Sequence, residues 1–407
     1  MIKTDLSDLA LFGGAPAFNE LLHVGRPNVG DRQQLMTRIN DMLDRRWLSN
    51  NGPFVQELEE KLATFLRVAH CIVICNATIA LEIAARALGL KGEVILPSFT
   101  FVASAHALQW LEITPVFCDV DPLTHNIDPV MVERLITQRT SGIMGVHVWG
   151  RACAIEELGG IAKKHHLKLL FDAAHAFGST HQGQMIGGFG DVEVFSFHAT
   201  KFFNTFEGGA ITTNNDELAQ KIRRIRNFGF AGMDNVVDIG TNGKMSEVSA
   251  AMGLTSLESL DKFIGINYNN YVAFSKGLHG IPGVQLIQYS EKEKNNYQYI
   301  VVEIDENTTG LSRDLLVKIL HAENIRARRY FHPGCHQMEP YRSSFANNRL
   351  ALSETENLTQ KVLQLPTGTA VGEEEISRIC ELIHFVFVNG IKIRTELQSL
   401  EHNISDM

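Results

Sequence analysis

Apolar residues in the stretch 55–215 come in two alternating forms, short unbroken runs and longer segments in which they recur every third or fourth position. The first form predicts buried strands and the second amphipathic helices. In order, the pattern gives a helix over Phe54–Leu66, a strand over His70–Cys75, a helix over Ile79–Leu88, a strand over Glu93–Pro97 and a helix over Ala103–Leu111. Strands follow at Pro115–Asp119, Gly142–Val148, Lys168–Asp172 and Val192–Phe197, with helices at Asp128–Leu135 and Ile155–His165 between them. Such βαβ alternation predicts an α/β fold whose mainly parallel sheet is covered on both faces.

Beyond Asp216 the character changes. A charged helix is expected over Leu218–Asn227, an irregular stretch over Phe228–Gly243, and one long helix from Ser246 to about Lys276. Gln298–Ile304 reads as a strand, Arg313–Glu323 as a helix, and Glu373–Phe387 as a final amphipathic helix. The expected organisation is a large domain over 45–266 and a smaller α/β domain over 267–407, the latter packing with the N-terminal segment 1–44.

Charge and composition then narrow the function. The 407 residues carry 37 Lys and Arg against 46 Asp and Glu, a formal charge of −9, which excludes a generally basic nucleic-acid binder. No apolar run approaches the ~20 residues of a membrane span, and Met1–Ala10 mixes Lys3, Asp5 and Asp8 among its apolar residues. No membrane segment or signal peptide is expected, and the location expected is cytoplasmic. Cysteines at 71, 75, 118, 153, 335 and 380 lack metal-ligand spacing, so reduced thiols and no metal site are expected.

Ligands of open parallel sheets bind beyond the carboxyl ends of the strands, so the polar residues that end each strand matter most. Asn76-Ala77-Thr78 opens directly into a helix, which suits either a phosphate or a plain helix cap. Asp172 ends an apolar strand, where a carboxylate needs a cationic partner such as a protonated ring nitrogen, unless it merely caps the next segment. Ser196-Phe197-His198-Ala199-Thr200-Lys201 ends another, with Phe202-Phe203 beside a lysine whose amine would lose solvation and become a nucleophile. The fingerprint GxGxxG of nicotinamide-dependent enzymes is absent; Gly187-Gly188-Phe189-Gly190 has neither its spacing nor the following helix.

Four blocks, Pro97-Ser98-Phe99-Thr100-Phe101-Val102-Ala103, Phe171-Asp172-Ala173-Ala174-His175, Phe195-Ser196-Phe197-His198-Ala199-Thr200-Lys201 and Glu207-Gly208-Gly209-Ala210, resemble the DegT/DnrJ/StrS nucleotide-sugar aminotransferases. The resemblance runs from about Gly25 to Gly372. It implies the fold-type-I pyridoxal-phosphate architecture, as in aspartate aminotransferase, with pyridoxal 5'-phosphate and pyridoxamine 5'-phosphate as the two forms of the cofactor. Within the family, Val24–Asn28, Arg46–Asn50, His147–Arg151 and Tyr330–His336 resemble the branch that aminates carbon 4 of dTDP-4-keto-6-deoxyglucose, with L-glutamate as donor. The product implied is dTDP-4-amino-4,6-dideoxyglucose.

Residue by residue, the resemblance makes Lys201 the lysine that bonds to the cofactor and moves the proton, and Asp172 the partner of the pyridine nitrogen. Phe101 takes the stacking position, Ala77, Thr78 and Ser196 the phosphate, and His175 a place beside the ring oxygen. Asn227 reaches the phosphate of a neighbouring subunit, and the Gly240–Lys244 segment also crosses, which implies a homodimer with shared active sites. Candidates for the sugar nucleotide are Arg26, His198, Lys244, Arg329, Tyr330, His332 and His336, the alternatives being a solvated surface position for Arg26, Lys244 and Arg329 and a structural role for His332 and His336. Two positions depart from the family pattern: Ala77 and Phe206 stand where many members have Gly. Amination at carbon 3, a UDP- or GDP-linked sugar, and a non-catalytic binding protein of the same fold are the alternatives; Lys201 and Asp172 speak against the last. A related dehydratase branch carries His in place of Lys201.

Overall fold

The computed structural model describes residues 3–344 and 350–405. Its larger sheet is assembled from β1 (His70–Ile74), β2 (Glu93–Pro97), β3 (Thr114–Cys118), β4 (Thr140–Val146) and β5 (Lys168–Asp172), followed after a two-strand hairpin, β6 (Thr180–His181) and β7 (Gln184–Met185), by β8 (Val192–Ser196) and β9 (Gly209–Thr213). The spatial order is β1-β9-β8-β5-β4-β2-β3. β8, β5, β4, β2 and β3 pair in parallel, whereas β9 runs antiparallel to both β1 and β8. The sheet is therefore mainly parallel, as the alternation predicts, with one reversed strand that the short Gly-Ala-Ile-Thr-Thr run did not announce.

Both faces of this sheet are covered. Val94, Leu170, Val194 and Ile211 share one core with the helix Ala77–Ala87, while Phe171, Phe195 and Ala210 point into a second core with the helix Pro53–Leu66. That helix begins on Pro53 and buries Phe54, Val55, Leu58, Leu62 and Leu66, the one-face spacing of an amphipathic helix.

A smaller antiparallel sheet, β10 (Val284–Leu286), β11 (Ile300–Ile304) and β12 (Val362–Leu365), packs under the helices Leu260–Leu278 and Glu373–Val388. Leu9, Ala17 and Phe18 enter its core, and Glu323 ties the N-terminal segment there through Lys3 at 2.9 Å and the backbone N–H groups of Ala10 and Ala17. The helix Arg32–Arg45 instead places Leu35 and Met42 in the large core.

The single helix expected from Ser246 to Lys276 is two, Glu247–Glu258 and Leu260–Leu278, broken at Ser259 with φ −105° and ψ 6°. The first is buried nearly all round; Gly253 lies so close to Leu58 that an added Cβ would sit 2.7 Å from its methyl. The second buries one stripe, Leu260, Phe263, Phe274 and Leu278, and leads into the smaller core. The break marks the change of packing partner, which helical periodicity alone cannot register. The helix Glu373–Val388 is also not the last, since Gly390–Ser405 follows it. Among the described residues no helix is long and apolar enough to cross a membrane.

Candidate active site

The carboxyl ends of β1, β5 and β8 open on one side into a cavity of about 530 Å³, closed opposite by residues of the smaller domain. At the end of β1, Asn76 caps the helix Ala77–Ala87 by accepting the Ile79 N–H at 2.9 Å. Ala77 and Thr78 line the cavity at the positive end of this helix. β9 closes in on this turn: a Cβ at Gly209 would lie 2.9 Å from the Ala77 nitrogen and 2.7 Å from the Phe195 oxygen, so only glycine fits. Phe206 holds φ +62°, a region that favours glycine, so the side chain there carries a backbone strain of roughly 1 kcal/mol.

β5 delivers Asp172 into the cavity. Its carboxylate accepts the Ser104 hydroxyl at 2.8 Å and the Ala174 N–H at 3.1 Å, and no ion-pair partner stands beside it among the described residues. Burial pushes its pKa up, against the pull of those hydrogen bonds and of the Lys201 charge. Lys201 lines the same cavity from the turn after β8, and its Nζ donates to the Tyr299 hydroxyl at 2.7 Å. Burial lowers its pKa to about 8, partly opposed by Asp172.

His175 is stacked on Trp149 at 5.8 Å and tilted against Tyr299 at 4.5 Å. Its Nδ1 accepts the Trp149 backbone N–H at 3.3 Å, which places the ring hydrogen on Nε2. Burial and the Lys201 charge hold its pKa well below the usual value, so the ring is a neutral hydrogen donor. Ser196 and the 54% exposed Phe101 complete this wall.

Of the other expected residues, Arg26, His198 and Tyr330 line the cavity, His198 pairing with the Thr200 hydroxyl at 2.9 Å and Glu207 at 3.4 Å. Arg329, His332 and His336 do not. Arg329 pairs with Asp314 at 3.1 Å on the outside, because Ala327 is buried in the core and alternation sends Arg326 and Arg328 to the cavity instead. His336 is buried between the Ser98 hydroxyl at 2.6 Å and Glu356 at 3.3 Å, and His332 is half-buried away from the cavity with its Nδ1 unpartnered. Asn227 and Lys244 also lie outside this chain's own cavity; the Lys244 amine donates to the Asn227 side chain at 3.2 Å and stacks on Phe228 at 4.4 Å. Sequence reasoning missed Tyr299, Arg326, Arg328 and Gln364, all cavity-lining. The two arginines had a signal, the alternation Ile325-Arg326-Ala327-Arg328; Tyr299 and Gln364 had none.

A buried carboxylate without a cation, a lysine of lowered pKa, a free helix N-terminus and an exposed aromatic ring together fit the pyridine nitrogen, aldehyde, phosphate and ring face of pyridoxal phosphate. The comparisons agree. Residues 30–384 match the DegT/DnrJ/EryC1/StrS aminotransferase family. The chain is 39% identical to a dTDP-4-amino-4,6-dideoxy-D-glucose transaminase of Shigella dysenteriae over 89% of this chain and 98% of that one, and 35% identical to a GDP-perosamine synthase of Caulobacter vibrioides over 86% and 94%. Its fold superposes on a crystal structure of DesI, determined in the presence of its TDP-sugar product, with a TM-score of 0.93 and 48% identity over 97% of this chain and 100% of the other. Helicobacter pylori PseC, an aminotransferase of pseudoaminic acid biosynthesis, gives 0.83 and 27% over 90% and 99%. The protein described here belongs to the DegT/DnrJ/EryC1/StrS family and is a pyridoxal-phosphate-dependent aminotransferase.

Proposed function

We propose that this enzyme moves an amino group from L-glutamate to carbon 4 of dTDP-4-keto-6-deoxy-D-glucose, giving dTDP-4-amino-4,6-dideoxy-D-glucose. The observation that carries the reading is Lys201 and Asp172 in one cavity of a chain whose 39% identical relative bears that product's name. When bound, pyridoxal phosphate supplies an electron sink that stabilises negative charge on the carbon being deprotonated.

The chain's own residues do the rest. The Asp172 carboxylate, fixed by Ser104 and Ala174, holds a proton on the ring nitrogen, and the cation formed there relieves its own unfavourable burial. Backbone N–H groups of Ala77 and Thr78, with the Ser196 hydroxyl, bind the phosphate. Phe101 covers the ring face, and His175 donates from Nε2 toward the ring oxygen. With a pKa of about 8, roughly a tenth of the Lys201 amines are neutral at pH 7, so Lys201 would hold the cofactor through its aldehyde and would serve as the group that moves the substrate proton. Arg26, Arg326 and Arg328 supply the local positive charge that anionic substrates need in a protein of charge −9.

The homodimer is part of the proposal. Asn227 and Lys244 sit away from their own cavity beside a segment that exposes Met233, Val236, Val237 and Ile239, an arrangement that supports their completing the cavity of a second copy. All six cysteines are free, which supports the expected cytoplasmic setting.

The test is NMR of the product formed from glutamate and the keto sugar, made by enzyme whose mass in solution is measured at the same concentration. Nitrogen on carbon 4, made by a dimer, is the result expected. Nitrogen on carbon 3, or turnover of UDP- or GDP-linked sugars alone, contradicts the substrate; a fully active monomer contradicts the shared site.

A further inference from the structure

Trp149 follows β4 with φ +62° and ψ 12°, a left-handed backbone that a bulky side chain rarely adopts, and it is fully buried. Such strain persists only where the surroundings over-determine it, and at Trp149 every polar group is engaged. Its carbonyl accepts the Tyr289 hydroxyl at 3.2 Å, its backbone N–H donates to His175 Nδ1 at 3.3 Å, and its indole Nε1–H donates to His125 Nδ1 at 3.2 Å. The indole also stacks on the His175 ring, 18° from parallel.

His125 is as buried as Trp149, and its other nitrogen, Nε2, meets the Glu303 carboxylate at 3.0 Å. An indole nitrogen can only donate, so His125 Nδ1 carries no hydrogen and Nε2 carries the one that goes to Glu303. His175 Nδ1 likewise accepts. The two N–H groups of one tryptophan thus set the tautomers of two histidines, and Glu303, on β11 of the smaller domain, anchors the far end. We propose that His125 and Glu303 are positioning residues for the reaction, holding Trp149 so that His175 keeps its Nε2–H aimed at the cofactor's ring oxygen. This rests on the place given to His175 above and extends the site to residues outside the cavity lining. Protonation of His125 would set an Nδ1–H against the indole N–H, donor against donor. Burial, opposed by the Glu303 bond, lowers the His125 pKa, and Arg151 and Asp121 are the other charged groups facing it. The ring is therefore neutral at pH 7 and the frame intact there.

A donor to the ring oxygen shares that oxygen's negative charge and weakens its hold on the proton of the lysine-bound cofactor, which lowers the pH at which the absorbance band titrates. In His125→Leu holoenzyme that midpoint rises by about half a pH unit or more, because His175 is no longer held to its donor orientation. His125→Asn, whose side-chain oxygen can still accept the indole hydrogen, recovers part of the shift. If the leucine variant does not fold, Trp149→Phe, which keeps an aromatic ring and the backbone N–H but loses the indole hydrogen, raises the midpoint likewise. NMR of protein carrying isotope-labelled tryptophan reads the frame itself, since the chain has three tryptophans and both Trp47 and Trp110 are exposed. The buried indole signal, identified by its loss in Trp149→Phe, shifts in His125→Leu, and shifts in wild type as the pH falls below the ordinary histidine value of 6.5. An indole signal that moves while the band midpoint stays at its wild-type value makes Trp149 a packing residue and overturns the proposal. An indole signal that His125→Leu leaves unmoved overturns it as well. A midpoint that His175→Leu also leaves unmoved contradicts the place of His175 itself, which separates the two failures.

Discussion

Replacing Lys201 by alanine abolishes turnover, to less than about one part in 10³ of the wild-type rate. General acid–base catalysis by one positioned group contributes ~10²–10⁴-fold, and here the same amine must also bond to the cofactor. No second amine stands ready: among the described residues Lys201 is the lysine that lines the cavity. Pyridoxamine phosphate still binds the variant, because Asp172, Phe101 and the turn at Ala77 and Thr78 are untouched. A rate of even one tenth of wild type, measured by product formation, removes Lys201 from the chemistry.

The same amine sets a pH dependence. Its folded pKa of about 8 lies below the ordinary 10.5, so the charged form is the one burial disfavours. Only the neutral amine attacks an aldehyde. Capture of pyridoxal phosphate by protein stripped of cofactor therefore rises about tenfold per pH unit below 8, then levels above it. A capture rate still climbing at pH 10 would mean that the amine is solvated like a surface lysine.

Asp172→Asn slows both half-reactions by ~10²–10⁴-fold, the effect of the ~3–5 kcal/mol that goes with breaking a buried charge pair. Asparagine keeps the hydrogen-bonding shape but carries no charge to hold a proton on the ring nitrogen. The cofactor-free proteins should order the other way. Burial raises the Asp172 pKa, so the ionised carboxylate is a destabilising group at pH values above its unfolded value, and that burden is greatest near neutrality. Without cofactor, the Asn variant melts at or above wild type; with cofactor, wild type gains more. A variant that melts lower in both forms would make Asp172 a fold-supporting residue rather than a partner of the ring.

How much of this was legible in the chain depends on which sheet a residue belongs to. Asp172, Ser196, Lys201 and the Asn76–Thr78 turn follow from sequence because parallel strands bring their carboxyl ends together, and strand ends are visible as the points where apolar runs stop. Gln364 lies on the smaller sheet and Tyr299 immediately before its strand β11, and the placement of that sheet over the larger one goes with the Ser259 break and the packing of Leu260–Leu278. No local pattern encodes that docking. Arg329 shows the intermediate case: a cationic residue close to Tyr330 was expected, and the one-residue alternation about buried Ala327 gives the cavity to Arg328 instead.

The most direct measurement is an absorbance spectrum of the purified protein, titrated first with L-glutamate and then with dTDP-4-keto-6-deoxy-D-glucose. The band of lysine-bound cofactor should bleach with glutamate and return with the sugar, which together report both half-reactions. A band that glutamate bleaches and this sugar fails to restore contradicts the proposed acceptor, and no band even after addition of pyridoxal phosphate contradicts the account at Lys201 and Asp172.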